Sequence, residues 1–353
     1  MQYLIRFIRL LLFPVTLIYD LVTRLRNYLY DIDYTRSFQF ETMVINVGNL
    51  SMGGTGKTPM VEYLIKSLKT NFKITVLSRG YKRKSYGFRI ANKNDDAKTI
   101  GDEPFQFFQK YSDEIKIVVS EDRVYAIPNI LFEFPDTEIV ILDDGFQQRG
   151  IIPDLSILLT EYDKPFFKDL ILPTGNLRES RTGARRADVI VVTKCPDELE
   201  QIDMDSYVKK IEKYANAKPV YFSFIRYLDP KPVLSSYEGK ITPGVIIFSG
   251  LANPDPLRLF VTSKFDVLDY VVFSDHHIYT FKDLENLISM LDGKSNISLL
   301  TTEKDRAKLI SSKFYSLLEG VPLFYLPIEI DFVGNGRKFD KIILDAVKRN
   351  EFT

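Results

Sequence analysis

Tryptophan is absent from this 353-residue sequence, cysteine occurs once (Cys195), and histidine twice, side by side at His276 and His277. A single cysteine excludes an internal disulfide and suits a reducing, cytosolic compartment. So few histidines and cysteines argue against a zinc centre. Neither sign of charge is in excess: 47 Lys and Arg balance 47 Asp and Glu. The basic footprint of a nucleic-acid-binding protein is missing, and no nucleic-acid partner is expected. No apolar run is long enough to span a bilayer either. The opening segment MQYLIRFIRLLLFPVTLIYDLVTRLRNYLY is uncharged only from Leu10 to Tyr19, whereas a spanning helix needs roughly 20 apolar residues. A small-x-small cleavage site is lacking and Asp20 ends the run, which speaks against a signal peptide. Two readings stand for residues 1–30: an amphipathic helix packed on the protein, or one lying on a membrane surface. Arg6, Arg9, Arg24 and Arg26 beside large apolar residues suit the second.

What is present is the make-up of a soluble globular protein, 45% hydrophobic and 27% charged, without internal repeats. The length predicts two domains. From residue 42, short apolar runs (TMVINV, FKITVLS, EIKIVVS, TEIVILDD, DLSILLT, ADVIVVTK) alternate with helical patterns. Strands that apolar belong in a parallel sheet covered on both faces. The expected fold is α/β: a P-loop NTPase-like, mostly parallel sheet with helices on both faces, plus a smaller α/β domain. The composition shifts near residue 218, where KPVYFSFIRYL and the later VPLFYLPIEIDF enclose residues with α/β signals of their own. These two runs are read as strands joining the domains. The expected division is an N-terminal helical segment 1–30, a P-loop domain 31–226 and a smaller domain with linker strands 227–332. A last helix within 333–353 returns to the P-loop domain.

The stretch GNLSMGGTGKTP follows the first strand and leads into a helix. Its residues Ser51, Met52, Gly53, Gly54, Thr55, Gly56, Lys57 and Thr58 form the expected ATP-binding loop. Glycines let backbone N–H groups turn toward an anion, and a helix N-terminus adds positive charge. Lys57 is placed to reach the β- and γ-phosphates and the Thr58 hydroxyl to ligate Mg²⁺. The usual pattern has glycine where this chain has Ser51. P-loops of the two-lysine ATPases carry a signature lysine where this chain has Met52. The run EIVILDDGFQQ ends a buried strand in Asp143 and Asp144, the pattern of carboxylates that serve Mg²⁺ at a sheet's C-terminal edge.

Other stretches admit two readings. Asp102 and Glu103 of IGDEPFQF are either a helix cap with a first-turn acid or carboxylates near the phosphates, one taking a proton from an attacking hydroxyl. Arg79 of SRGY and the arginines around Arg178 in LPTGNLRESRTGARR are either solvated charges or partners of an anion. The histidine pair in FSDHHIYT is either structural or functional. VVTKCPD is a poor match to the base-reading element of GTPases, since Thr193 replaces its asparagine and Asp197 lies one residue too far.

Taken in order, VGNLSMGGTGKTP, SRGY, GDEP, LDDGFQ, LPTGNLRE, VVTKCP, FSGLANP, SDHH and TTEKD resemble the motifs of the tetraacyldisaccharide 4'-kinases, the lipid A 4'-kinases of Gram-negative bacteria. The resemblance runs from about residue 44 to residue 305. It implies transfer of the ATP γ-phosphate to the 4'-hydroxyl of an acylated glucosamine disaccharide 1-phosphate, giving a lipid A precursor. It also implies two α/β domains, and a monomer at the cytoplasmic face of the inner membrane whose N-terminal helix helps binding. By the same resemblance, Lys57 and Thr58 are the phosphate and Mg²⁺ residues and Asp102 is the general base, with Glu103 beside it near the metal. His276 orients that base from the second domain, Asp143 and Asp144 serve the metal, and Arg178 stabilises phosphate charge. Many members have histidine where this chain has Gln148, and glutamine cannot become cationic near neutral pH. Beside this reading stand a P-loop kinase of another small molecule and a regulatory switch ATPase; Met52 speaks against the second.

Overall fold

The apolar runs become strands buried on both faces, so the sheet they build must lie inside layers of helices. In the computed structural model, residues 11–350 are described apart from residues 276, 295, 311 and 335. The first strands are β1 (Met43–Asn49), β2 (Ile74–Ser78), β3 (Arg89–Ile90), β4 (Lys116–Val119), β5 (Ile139–Asp143), β6 (Leu155–Glu161), β7 (Val189–Thr193) and β8 (Val220–Tyr227). A second group follows: β9 (Lys231–Pro232), β10 (Gly244–Ser249), β11 (Asp266–Val272), β12 (Ile297–Thr302) and β13 (Leu323–Leu326). The last strand is β14 (Ile328–Phe332).

Two sheets result. The larger has the order β14-β8-β7-β6-β1-β5-β2-β4-β3, and the smaller β11-β10-β12-β13-β9. In the larger sheet only the edge strands β3 and β14 run antiparallel to their neighbours. Nine helices of seven or more residues accompany them among the described residues. They are α1 (Phe13–Asp31), α2 (Lys57–Leu68), α3 (Asp102–Tyr111), α4 (Arg123–Glu133), α5 (Gln201–Ala215), α6 (Asp255–Thr262), α7 (Phe281–Ser289), α8 (Glu303–Leu309) and α9 (Gly336–Asn350).

Alternation along β1 divides the core. Ile45 and Val47 pack with Met60 and Leu64 of α2, Phe107 of α3, and Phe339 and Ile343 of α9. Val44, on the opposite face, packs with Ala126, Ile127 and Ile130 of α4. The C-terminal helix thus returns to the larger sheet.

The run VPLFYLPIEIDF is not one strand. It divides at Pro327, with β13 in the smaller sheet and β14 in the larger. Proline has no N–H to give a ladder, which makes it a natural point for the chain to change sheets. The strands expected to join the domains include β8 and β14. β8 pairs in parallel with β7 and antiparallel with β14, so both belong to the larger sheet.

Helix α1 combines features of both readings offered for the N-terminus. One edge is docked: Thr16 and Thr174 share a hydrogen bond of 2.7 Å, and Tyr19 Oη donates to the Arg178 carbonyl at 3.0 Å. Elsewhere Leu17, Ile18, Leu21, Val22 and Leu25 are each more than half exposed. No helix among the described residues is long and apolar enough to cross a membrane.

Candidate active site

The loop after β1 reaches α2 through Gly53 (φ +111°) and Gly56 (φ +85°), both in backbone territory that side chains disfavour. Thr55 is pinned from two sides: Asn49 Nδ2 donates to its hydroxyl and Thr193 Oγ1 to its carbonyl, both at 2.8 Å. The departures from the common pattern have a structural reason. Ser51 bridges to Leu177, Met52 N donates to the Asn176 carbonyl, and Arg178 N donates to the Leu50 carbonyl, both at 2.7 Å. The start of the loop is therefore extended backbone paired with the GNLRE segment, where no glycine is required. That pairing delivers Arg178 to the site.

Strand β5 delivers the carboxylates. Asp144 has φ +53°, an uncommon backbone state for a residue other than glycine. The next residue must be small, because a Cβ on Gly145 would lie 2.3 Å from Asn46 Oδ1. The turn holds Asp144 between cations. Arg178 Nη1 donates to its two carboxylate oxygens at 2.9 and 3.0 Å, and Lys57 Nζ lies 3.6 Å away. Burial alone would raise the Asp144 pKa, but Lys57 and Arg178 outweigh it and hold it below the usual carboxylate range.

Asp143 behaves in the opposite way. Burial, then the negative charges of Glu103 and Asp144, push its pKa up to about 6, despite Lys57 and Arg123. One carboxylate oxygen accepts from Ser78 Oγ at 3.0 Å, and the other is buried with no hydrogen-bond partner among the described residues. An orphaned buried carboxylate oxygen is costly unless something cationic or protic meets it. Asp143, nearby Glu103 and the Thr58 hydroxyl on the first turn of α2 are oxygen donors of the kind a hard divalent cation takes, while no group of three or more His, Cys, Asp or Glu side chains among the described residues is gathered as a metal site.

One buried residue at this site carried no sequence signal. Arg123 opens α4 and is buried, with Nη1 donating to the Asp144 carbonyl at 2.9 Å. Burial weakens its hold on the proton, while Asp143 and Asp144 strengthen it. Ser78, at the end of β2, opens the SRGY stretch and joins the site through Asp143. Gln147 links the parts, accepting from Arg178 Nη1 at 3.1 Å and donating to the Asn49 carbonyl at 2.8 Å. Glu179 is the buried hub beneath them, accepting from Asn27 at 2.7 Å, Gln147 at 3.1 Å and Arg186 at 2.8 Å.

Asp102 and Glu103 open α3. The cap position is Gly101, with no side-chain cap bond, so Asp102 is not a helix cap. Glu103 is close enough to Asp143 to raise its pKa. Asp102 Oδ2 lies 4.0 Å from Lys308 Nζ of α8, the TTEKD helix. The expectation for His276 lies outside the described residues. Its neighbour His277 stacks on Phe273, with centroids 4.6 Å apart, and its Nε2 lies 3.1 Å from Asp283 Oδ2. Lys57, Asp143, Asp144, Glu103 and Arg178 thus converge beyond the C-terminal ends of β1 and β5, where open α/β sheets bind ligands.

Comparison with known proteins gives a consistent answer. Residues 8–348 match the family model described as tetraacyldisaccharide-1-P 4'-kinase. The tetraacyldisaccharide 4'-kinase of Flavobacterium psychrophilum is 42% identical, across 97% of this chain and 98% of its own. That of Flavobacterium johnsoniae is 39% identical, with the same coverage of 97% and 98%. A crystal structure of LpxK from Aquifex aeolicus in complex with ATP superposes with a TM-score of 0.74 at 29% identity, over 96% of this chain and 99% of that one. A matching order of motifs, a matching fold and near-complete coverage agree: the chain belongs to the tetraacyldisaccharide 4'-kinase family.

Proposed function

We propose that this chain transfers the γ-phosphoryl group of ATP to the 4'-hydroxyl of tetraacyldisaccharide 1-phosphate, forming the 4'-phosphorylated lipid A precursor. The observation that carries the reading is the convergence of Lys57, Arg178, Asp143 and Asp144 at one sheet edge in a member of this kinase family. The backbone N–H groups of the loop and Lys57 hold the β- and γ-phosphates. Arg178 offsets charge on the transferred group, with Gln147 and Asp144 fixing its guanidinium. Asp102 accepts the 4'-hydroxyl proton as the new O–P bond forms and the ADP oxygen departs. His276 orients Asp102 in this scheme. Thr58 and Asp143 would hold Mg²⁺, with Glu103 and Asp144 around them; the ion, when bound, neutralises phosphate charge. Asp143 is the better direct ligand of the aspartate pair, because Arg178 already occupies Asp144.

The acceptor's acyl chains remain in the bilayer in this scheme. The exposed apolar side chains of α1 lie on the cytoplasmic leaflet of the inner membrane, and its docked edge touches the LPTGNLRE segment. The test is transfer of γ-phosphate label from ATP to purified tetraacyldisaccharide 1-phosphate in mild detergent. Failure of well-folded protein to label the lipid refutes the kinase reading. For the membrane, deleting residues 1–25 should move the protein into the soluble fraction; unchanged partitioning removes the interfacial role.

A further inference from the structure

Helices α3 and α8 lie against each other where the two sheets meet, and lysines near opposite ends of the pair cross the junction in opposite directions. Lys110 of α3 reaches Glu303 of α8 at 2.9 Å and also pairs with Glu62 of α2. Lys308 of α8 reaches back to Asp102 of α3, with Nζ 4.0 Å from Oδ2. A third contact runs from Gln109 Nε2 to the Ala307 carbonyl at 3.2 Å. These three contacts fix the register of one helix on the other.

Lys308 is the informative member. Its side chain is 8% exposed, and its ammonium, which has no hydrogen-bond partner among the described residues, lies 3.6 Å from Asp305 Oδ1 and 4.0 Å from Asp102 Oδ2, within ion-pair reach of both. A buried ammonium must keep anionic partners, because it has given up its water. Asp305 belongs firmly to the smaller sheet's layer. It is fully buried, and its other carboxylate oxygen accepts from Thr302 Oγ1 at 2.7 Å and from Gly250 N at 3.0 Å. Asp305 therefore fixes where Lys308 can stand, and Lys308 carries that position to a carboxylate of the larger sheet's layer.

We infer that Lys308 is a positioning residue for Asp102. Anchored by Asp305, it draws the carboxylate at the head of α3 into the orientation that receives the acceptor's proton. It acts only while α8 is seated on α3, so the seating of the two layers and the readiness of the base are one event. The inference rests on Asp102 being the base.

The test is steady-state phosphoryl transfer by the full chain, with labelled ATP and tetraacyldisaccharide 1-phosphate in mild detergent. Lys308→Met keeps the length and removes the charge. Its kcat should fall about 10- to 100-fold, the scale of a misplaced catalytic group, with the KM for ATP within about twofold. Lys308→Arg should recover most of that loss, since a guanidinium can also meet two carboxylates. In an Asp102→Asn background, Lys308→Met should subtract nothing further from the residual rate. A normal kcat for Lys308→Met, or a full additional loss in that background, overturns the inference. Undiminished transfer by Asp102→Asn locates the failure in the base assignment instead. Should Lys308→Met not fold, Asp305→Asn preserves the shape and the Thr302 bond while releasing Lys308. It should show the same kcat loss, and a wild-type kcat there overturns the inference.

Discussion

Gly101 lies back to back with Gly80: a Cβ on Gly101 would sit 3.0 Å from both the Cα and the carbonyl carbon of Gly80. This contact locks the SRGY loop, which carries Arg79, against the head of α3, which carries Asp102 and Glu103. Gly101 also has φ +96°, so a side chain there meets both a backbone clash and a disfavoured angle. Gly101→Ala should cost about 1–3 kcal/mol of stability and reduce kcat by displacing α3. Gly293→Ala is the control, since its φ is +69° and a methyl group there would meet nothing within 4 Å. It should show a smaller loss in thermal unfolding and a normal kcat. Equal losses would assign the whole effect to backbone angle.

Lys57 and Arg178 share Asp144 as counter-ion, and both are proposed to meet the phosphates of ATP. Lys57→Ala and Arg178→Ala should each lower the transfer rate at least about 100-fold, the scale of removing one charge-stabilising group. Arg178→Lys should recover little, because Arg178 also contacts Gln147 and an ammonium lacks the planar fork. Full rescue by lysine would show that a point charge suffices.

Asp143 gives a stability prediction opposite in sign to its catalytic one. Its pKa rises from an ordinary 3.8 to about 6 on folding, so the folded chain holds this proton more tightly than the unfolded chain. The group's contribution to stability therefore falls as pH rises from about 4 to about 6, and stays low above that. Asp143→Asn has no such titration and keeps an acceptor for Ser78. Relative to wild type it should gain stability across that window, by on the order of 3 kcal/mol at most, while losing transfer activity. Thermal unfolding of both proteins between pH 4.5 and about 7.5 checks this. A gap that does not widen with pH refutes the raised pKa.

Asn27 of α1 donates to Glu179 at 2.7 Å, and Glu179 is buried beneath Gln147 and Arg186. Asn27→Leu should cost about 1–3 kcal/mol by depriving a buried carboxylate of a donor. Vesicle co-sedimentation should be unchanged, because the exposed apolar residues are untouched. Loss of vesicle binding in this variant would mean that docking of α1 is what presents those residues to the membrane.

Much of this architecture was legible because periodicity and buried strands are local properties. The runs that became β1, β2 and β4 to β7 announced themselves, as did the P-loop and the carboxylates at the end of β5. What stayed hidden depends on distant partners. Arg123 reads as an ordinary first-turn residue, and only the approach of β5 makes it a buried cation against Asp144. VPLFYLPIEIDF reads as one strand because its composition is uniform; the second of its two prolines, Pro327, marks a change of sheet that only pairing reveals. Lys308 sits in a helix that gives no hint of Asp102, about two hundred positions earlier in the chain.

The division at Pro327 also sets an order of assembly. Leu228 N donates to the Pro327 carbonyl at 2.9 Å, so the chain leaves the larger sheet and rejoins it at one place. Ile330, Phe332, Phe339 and Ile343, which complete the core around Met60 and Leu64, all lie beyond that point. During synthesis this face of the larger core stays incomplete, with β8 as an open edge, until the whole smaller sheet has emerged, whereas the opposite face, around Val44 and Ile127, has all its buried members earlier in the chain. The strands of the smaller sheet, β9 to β13, are contiguous in the chain and can pair without waiting. The layer made later is thus free to finish first, and the larger sheet is completed against a neighbour that is already built.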